Sequence, residues 1–257
     1  MTALTPAAAL APQASPDDDG PPRASLDDDR PLVLALPKGR ILKDAAQLLA
    51  AAGIIPAADC LDEHSRRLRF ETDNARLDVI RVRPFDVATF VAFGAAQIGI
   101  CGADVLMEFD YAEIYAPLEL GIGACRVSVA EPEDMAATDD PQRWSQVRVA
   151  TKYPNIARRH FARRGIHADI VHLNGAMELA PGLGISRLIV DLVQTGSTLK
   201  ANGLRETEVI ADVTSRLIVN RTALKTQPEA IGALIARFRA AIAGGDGASG
   251  RIAATGR

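Results

Sequence analysis

The sequence predicts an α/β fold, and two observations carry that prediction. Short runs of β-branched and aliphatic residues alternate with stretches of helical apolar spacing along most of the chain, the pattern of mostly parallel strands joined by helices. No segment recurs at a fixed period, which sets solenoids and propellers aside. The composition agrees, since 48% of the 257 residues are apolar and 24% charged, the balance of a folded globular chain. Length alone leaves one large domain or two small ones open.

Taken in order, residues 1–30 combine Ala and Pro with the runs Asp17-Asp18-Asp19 and Asp27-Asp28-Asp29. Such a segment buries too little apolar surface to offset chain entropy and is expected to be a disordered tail. The first strand is Leu32 to Leu36, followed by the loop Pro37-Lys38-Gly39-Arg40. From Ile41 to Ala52 the apolar residues Ile41, Ala45, Leu48, Leu49 and Ala52 share one helical face, with Gly53 as the stop. Further strands are expected at Leu77–Val82, Gln97–Cys101, Cys125–Ala130, Val147–Thr151, Asp169–Leu173, Leu188–Val193 and Glu208–Asn220, and a last helix at Pro228–Ala243. Residues 244–257, rich in Gly and Ala, read as a flexible tail.

Charge and cysteine usage narrow the function classes. A net charge of −3 gives no general basic field for nucleic-acid backbones. Cys60, Cys101 and Cys125 are far apart and form no C-x-x-C pair, so neither a disulfide framework nor a zinc site is expected. His64, His160, His167 and His172 lack metal-ligand spacing and read as structural. The N-terminus lacks the pattern of a secretory signal, and no run approaches the ~18 apolar residues of a membrane span. A cytoplasmic protein without membrane or nucleic-acid partners is expected. G-x-S-x-G and the P-loop are missing from the sequence, and no G-x-G-x-x-G follows any of the expected strands, which removes the main support for hydrolase, P-loop kinase and dinucleotide readings.

The strongest chemical signal is the strand Leu188–Val193 running into Gln194-Thr195-Gly196-Ser197-Thr198 and then a helical Leu199-Lys200-Ala201-Asn202. Small and hydroxyl residues at a helix start let backbone N–H groups approach an anion, and the hydroxyls add donors. An ordinary capped helix would use the same residues. What favours a phosphate cradle is Asp191, a carboxylate in an otherwise apolar strand where an unpartnered charge is costly. A ribose hydroxyl or a magnesium-bound water would partner it. Lys38 and Arg40 put two cations at the carboxyl end of the first strand, the usual ligand edge of an open sheet. Arg66 and Arg67, and Arg81 and Arg83, add further cations that read mostly as surface charges. Gly99-Ile100-Cys101-Gly102-Ala103-Asp104 is a strand-to-helix turn whose glycines suit a flat base, or equally a tight turn with Asp104 as N-cap. Thr151-Lys152-Tyr153-Pro154-Asn155 has the same form, and Glu178 either meets a ribose or faces solvent.

In this order the motifs Leu36–Arg40, Arg83-Pro84 with Asp86, Gly99–Asp104, Ala150–Asn155, Glu178–Pro181 and Asp191–Leu199 resemble the ATP phosphoribosyltransferase family. The resemblance spans about Leu32 to Phe238. It implies two α/β domains around a cleft, as in type II periplasmic binding proteins. It also implies condensation of ATP with 5-phosphoribosyl-1-pyrophosphate to N1-(5-phosphoribosyl)-ATP and pyrophosphate, with Mg2+ bound mainly through the substrates' phosphates. This is the first step of histidine biosynthesis. Carried over, Gln194, Thr195, Gly196, Ser197 and Thr198 hold the sugar phosphate, with Asp191 and Glu178 near the ribose. Arg40, Arg66 and Lys38 are the catalytic cations, and Lys38, Arg83, Cys101, Gly102 and Asp104 form the ATP side.

The expected domains are residues 31–124 plus 209–243 and, inserted between them, residues 125–208. Two departures from the family pattern stand out: Ser197 occupies a position where Arg is more often expected, and Gly175-Ala176-Met177 replaces a Ser-Val pair before Glu178. The chain also looks like the short form of the family, which implies a homodimer within a hetero-oligomer and a regulatory subunit similar to histidyl-tRNA synthetase. Three rivals remain. A ligand-binding module shares the fold without chemistry; a phosphoribosyltransferase for another base would show two adjacent acidic residues before the loop; a catalytically weak subunit would be explained by Ser197.

Overall fold

Strand β1 (Leu32–Pro37) is apolar at every position and buried at every position, because it lies between two parallel neighbours, β3 (Leu77–Val82) and β4 (Ile98–Gly102). These coordinates are a computed structural model that describes residues 31–62, 64–134 and 144–249; the acidic segment before Pro31 lies outside them. The first sheet is completed by β2 (Arg69–Glu71), β5 (Ile114–Glu119) and β11 (Ser215–Asn220), in the order β2-β3-β1-β4-β11-β5. One face is covered by α1 (Arg40–Ala51), α7 (Arg221–Thr226) and α8 (Pro228–Ser249), where Leu42, Leu49, Ala223, Ile231 and Phe238 share a core with Leu34 and Leu36. The other carries α2 (Pro84–Ala92) and α3 (Ala103–Phe109), packed through Val87, Val91 and Val105.

Helix α1 ends as its sequence dictates. Gly53 takes a left-handed φ of 67°, its N–H bonds to the Ala50 carbonyl, and Ile54 N–H reaches back to Leu49, a Schellman stop. Ile54 just after the stop and Leu49 in the last turn both enter the core.

The second sheet holds β6 (Cys125–Pro132), β7 (Gln146–Thr151), β8 (His167–His172), β9 (Leu188–Val193) and β10 (Leu204–Val213), in the order β10-β6-β9-β7-β8. Helix α4 (Pro154–Ala162) packs Ile156, Ala157 and Phe161 on one face. The short helices α5 (Leu179–Gly182) and α6 (Ser197–Ala201) lie over the other, where Ala180 and Leu199 are buried. Two α/β lobes result, as the family resemblance implies.

Four features differ from the sequence expectation. The run Glu208–Asn220 is two strands in different sheets, with only Thr214 between β10 and β11. No Gly or Pro marks that change. Strands β2 and β5 were not expected; the first has three residues, and the second carries Pro117 at a sheet edge. Helix α8 continues past Ala243 to Ser249. Arg81, expected among the surface cations, is 3% exposed. It sits at the inward parity of β3 with Leu77 and Val79 and donates to the carbonyls of Cys60, Asp62 and Ser65 at 2.6–2.8 Å.

Candidate active site

The turn after β9 closes on itself. Gly196 has φ 78° and ψ 0°, a left-handed conformation that favours glycine. The Thr195 and Ser197 hydroxyls lie 2.9 Å apart, and the Ser197 N–H points to Thr195 Oγ1 at 3.4 Å. The turn is anchored from β6: Arg126 Nη1 donates to the Gln194 carbonyl at 3.1 Å, while Arg126 grips Glu206 of β10 through two bonds of 2.5 Å. Ser128 adds a third bond to Glu206 at 2.6 Å. The Arg126 guanidinium holds the Glu206 carboxyl below the usual carboxylate range.

Across the cleft, Gly39 adopts φ 85°, ψ −148°, a conformation that is essentially glycine's alone. It starts α1 so that the exposed Arg40 crosses to the second lobe and donates to the Gln194 side chain. Arg40, Cys125, Glu178, Asp191, Gln194, Thr195, Gly196, Ser197 and Thr198 thus meet around a single cavity of about 320 Å³.

Asp191 has a partner inside the chain. Lys152 Nζ, at the end of β7, lies 3.4 Å from its Oδ1, and the Leu192 N–H donates to the same oxygen at 2.8 Å. Burial pushes the Asp191 carboxyl above its ordinary range, against the pull of Lys152. The Lys152 ammonium is framed by the rings of Phe85 and Tyr153, 5.8 and 5.1 Å from their centroids.

The remaining expected residues lie elsewhere. Lys38, Arg66 and Arg83 are exposed on loops of the first lobe and do not line the cavity. Arg66 rides on the segment whose carbonyls Arg81 holds. Cys101 is fully buried, with its thiol pushed up by burial, among the apolar residues beneath α2 and α3. The glycines of that turn are explained by internal packing: a Cβ at Gly99 would meet Val87 at 2.8 Å, and one at Gly102 would meet the Asp104 carboxylate at 2.0 Å. Asp104 is 5% exposed and accepts the Tyr153 hydroxyl at 2.6 Å. It is not the N-cap of α3, a position held by Gly102.

Sequence reasoning missed Cys125, Arg126 and Glu206, and left Lys152 without a role. Their alignment depends on β6 pairing with both β9 and β10, and no local motif announces it. The one sequence signal was polar residues at alternate positions of β6, Arg126 and Ser128, among Val127 and Val129.

Fold and site together define a two-lobed α/β protein with an anion-receiving turn and an opposing arginine in its cleft, a class shared by binding proteins and enzymes. Comparison with known proteins resolves which. A family model described as ATP phosphoribosyltransferase matches residues 83–240, and the chain belongs to that family. It is 66% identical over 213 residues to the ATP phosphoribosyltransferase of Paramagnetospirillum magneticum, covering 83% of this chain and 97% of that protein. It is 70% identical to that of Gluconobacter oxydans, covering 82% and 88%.

Among solved structures, the ATP phosphoribosyl transferase (HisG:HisZ) complex from Thermotoga maritima superposes with a TM-score of 0.71 at 32% identity, over 83% of this chain and 99% of that one. The periplasmic aliphatic sulphonate binding protein of Escherichia coli matches with a TM-score of 0.52 at 14% identity, over 85% of this chain and 70% of that one, a likeness of fold alone.

Proposed function

We propose that this chain condenses ATP with 5-phosphoribosyl-1-pyrophosphate to N1-(5-phosphoribosyl)-ATP and pyrophosphate, the first step of histidine biosynthesis. The observation that carries the reading is the cavity where Gln194–Thr198, Asp191, Glu178 and Arg40 converge, in a chain that belongs to the ATP phosphoribosyltransferase family. The turn offers hydroxyls and backbone N–H groups to the sugar phosphate. Asp191 and Glu178 accept from ribose hydroxyls. Arg40 faces the departing pyrophosphate from the first lobe. Arg66 and Lys38 add positive charge there, and Lys38 and Arg83 serve the ATP phosphates. Cys101 and Asp104 would meet a nucleotide only through their backbone, since their side chains are committed within the fold, and Gly102 likewise offers backbone.

The reaction asks little else of the protein. Adenine N1 attacks with its own lone pair, so no base must first remove a proton. What must be stabilised is negative charge on the leaving pyrophosphate and positive charge on the sugar, which preorganised cations and carboxylates do. Asp191 and Glu178 put oxygen acceptors at the cavity wall, which suit the bound waters of a magnesium ion carried by the substrates' phosphates. Such an ion neutralises phosphate charge and polarises the leaving group.

The reading carries a cytoplasmic location with it, because ATP and the activated sugar are consumed there. No helix among the described residues is long and apolar enough to cross a membrane. It also carries a synthetase-like regulatory subunit and a homodimer within a hetero-oligomer. The solved relative is itself a HisG:HisZ complex. A near-ultraviolet assay with ATP, 5-phosphoribosyl-1-pyrophosphate, magnesium and pyrophosphatase, with mass spectrometry of the product, tests the reaction. Phosphoribosyl-ATP is expected; none, with and without the regulatory subunit, overturns the reading.

A further inference from the structure

A second polar cluster joins the lobes away from the cavity. Helix α3 of the first lobe presents Asp104 and Glu108, 5% and 3% exposed, to the turn Lys152–Ile156 of the second. Glu108 Oε1 accepts the Asn155 N–H at 2.9 Å, and its Oε2 accepts the Ile156 N–H at 3.0 Å. The Glu108 carbonyl accepts from the Asn155 side chain at 3.1 Å. One carboxylate therefore caps α4 from another lobe, satisfying donors that a helix start leaves without intrahelical partners. Asp104 holds Tyr153, the residue just before α4, through its hydroxyl. Immediately before Tyr153 comes Lys152, the partner of Asp191. Helix α4 has no side-chain cap from its N-cap residue; the Thr151 hydroxyl holds the Tyr153 N–H at 2.9 Å, and the donors of Asn155 and Ile156 are taken by Glu108.

We infer that Glu108 is a positioning residue for the reaction: by fixing the amino end of α4 it fixes the backbone of Lys152, and so the ion pair that Lys152 makes with Asp191 on the cavity wall. The inference rests on the reading of that wall as the phosphoribosyl-pyrophosphate side of the site. A carboxylate serves here where an amide does not, because two converging N–H donors need two acceptor oxygens. Glu108→Gln retains one acceptor and turns an NH2 group toward the other donor.

Four proteins decide it: the full chain, Glu108→Gln, Lys152→Met and the double variant. Glu108→Gln should lower kcat/KM for 5-phosphoribosyl-1-pyrophosphate about tenfold, the scale of coupling between residues in one network, with the KM for ATP unchanged. In the Lys152→Met background the same substitution should change nothing further. A titration of the Asp191 carboxyl by carbon NMR supplies a readout that needs no substrate. Glu108→Gln should raise its midpoint, since Lys152 draws it down, and the double variant should match Lys152→Met. Arg40, Cys125 and Glu178, which share the cavity with Asp191, are the same in all four proteins.

Equal effects of Glu108→Gln in both backgrounds, or an unmoved Asp191 midpoint, would overturn the inference and leave Glu108 as a stability residue. A chain inactive in every form, with and without the regulatory subunit, would instead sink the functional reading, and the titration would still decide this one. Should Glu108→Gln not fold, Glu108→Asp, which keeps the charge on a shorter reach, carries the same comparison.

Discussion

The two polar clusters between the lobes differ in what they leave unpaired. At α3 and α4, Asp104 and Glu108 are sealed from water and each carboxylate has its donors in place, from Tyr153 and from the backbone of Asn155 and Ile156. Around the cavity, Gln194, Thr195, Ser197 and Thr198 are exposed, and the two hydroxyls of Thr195 and Ser197 bond mainly to each other. Buried polar groups must find partners inside the fold; a ligand site needs groups that have not yet spent theirs. Cluster and cavity are thus told apart by their unused hydrogen-bonding capacity, although both mix carboxylates with small polar residues.

The largest expected effect is at the cavity. Arg40→Ala should lower turnover by the ~2–4 kcal/mol of barrier that loss of one transition-state donor costs, while the denaturation midpoint moves little because the side chain is exposed. Arg66→Ala should also reduce turnover more than it disturbs folding, and unchanged turnover would take Arg66 out of the site. The sealed cluster should behave oppositely. Asp104→Ala leaves the Tyr153 hydroxyl buried without its acceptor, and denaturant unfolding should register a loss of ~1–3 kcal/mol. If Asp104→Ala cost turnover but no stability, the contrast would collapse.

Gly196→Ala should lie between the two. There is room for the methyl, whose nearest neighbour would be Val193 at 4.0 Å, but the left-handed backbone costs an L-residue roughly 1–2 kcal/mol. Stability by unfolding and affinity for 5-phosphoribosyl-1-pyrophosphate by calorimetry should fall together. The smallest effect concerns pH. The raised carboxyl of Asp191 binds its proton more tightly in the folded than in the unfolded chain. Stability therefore declines as pH rises from the ordinary carboxylate range through the folded midpoint. Asp191→Asn should flatten that stretch of the stability–pH curve, and an unchanged slope would show that Lys152 offsets the burial in full.

Much of this was legible in the sequence where the determinants are local. The strand ends at Val82 and Val193 were read to the residue, because the strands there run at once into the polar residues Arg83 and Gln194. The turn Gln194–Thr198 was legible because strand, turn and helix are contiguous. What escaped depends on topology. Lys152 reaches Asp191 only because β7 lies beside β9, and Arg126 reaches Gln194 only because β6 lies on the other side. Asp104 and Gly102 were read toward a flat base, or equally toward a tight turn, because a strand-to-helix turn with glycines looks the same in sequence whether it receives a ligand or packs on its own fold. The expected outside partner for Asp191 has the same origin: the sequence shows a charge in need of a partner, and pairing of strands supplied Lys152.

The joint between the lobes has a mechanical consequence. The chain passes between the sheets at two neighbouring places, the stretch from Leu120 to Ala124 and the single residue Thr214, stitched together by bonds between Leu120, Ile122 and Ser215 of 2.9–3.0 Å. Two adjacent crossings define an axle: by themselves they permit swinging about one line and resist every other displacement. The grip of α3 on α4 and the bond of Arg40 to Gln194 are further attachments, off that line, and attachments that do not share a line leave a rigid body no rotation. Any widening of the cleft must therefore break the bonds of Asp104 and Glu108 together with that of Arg40 to Gln194.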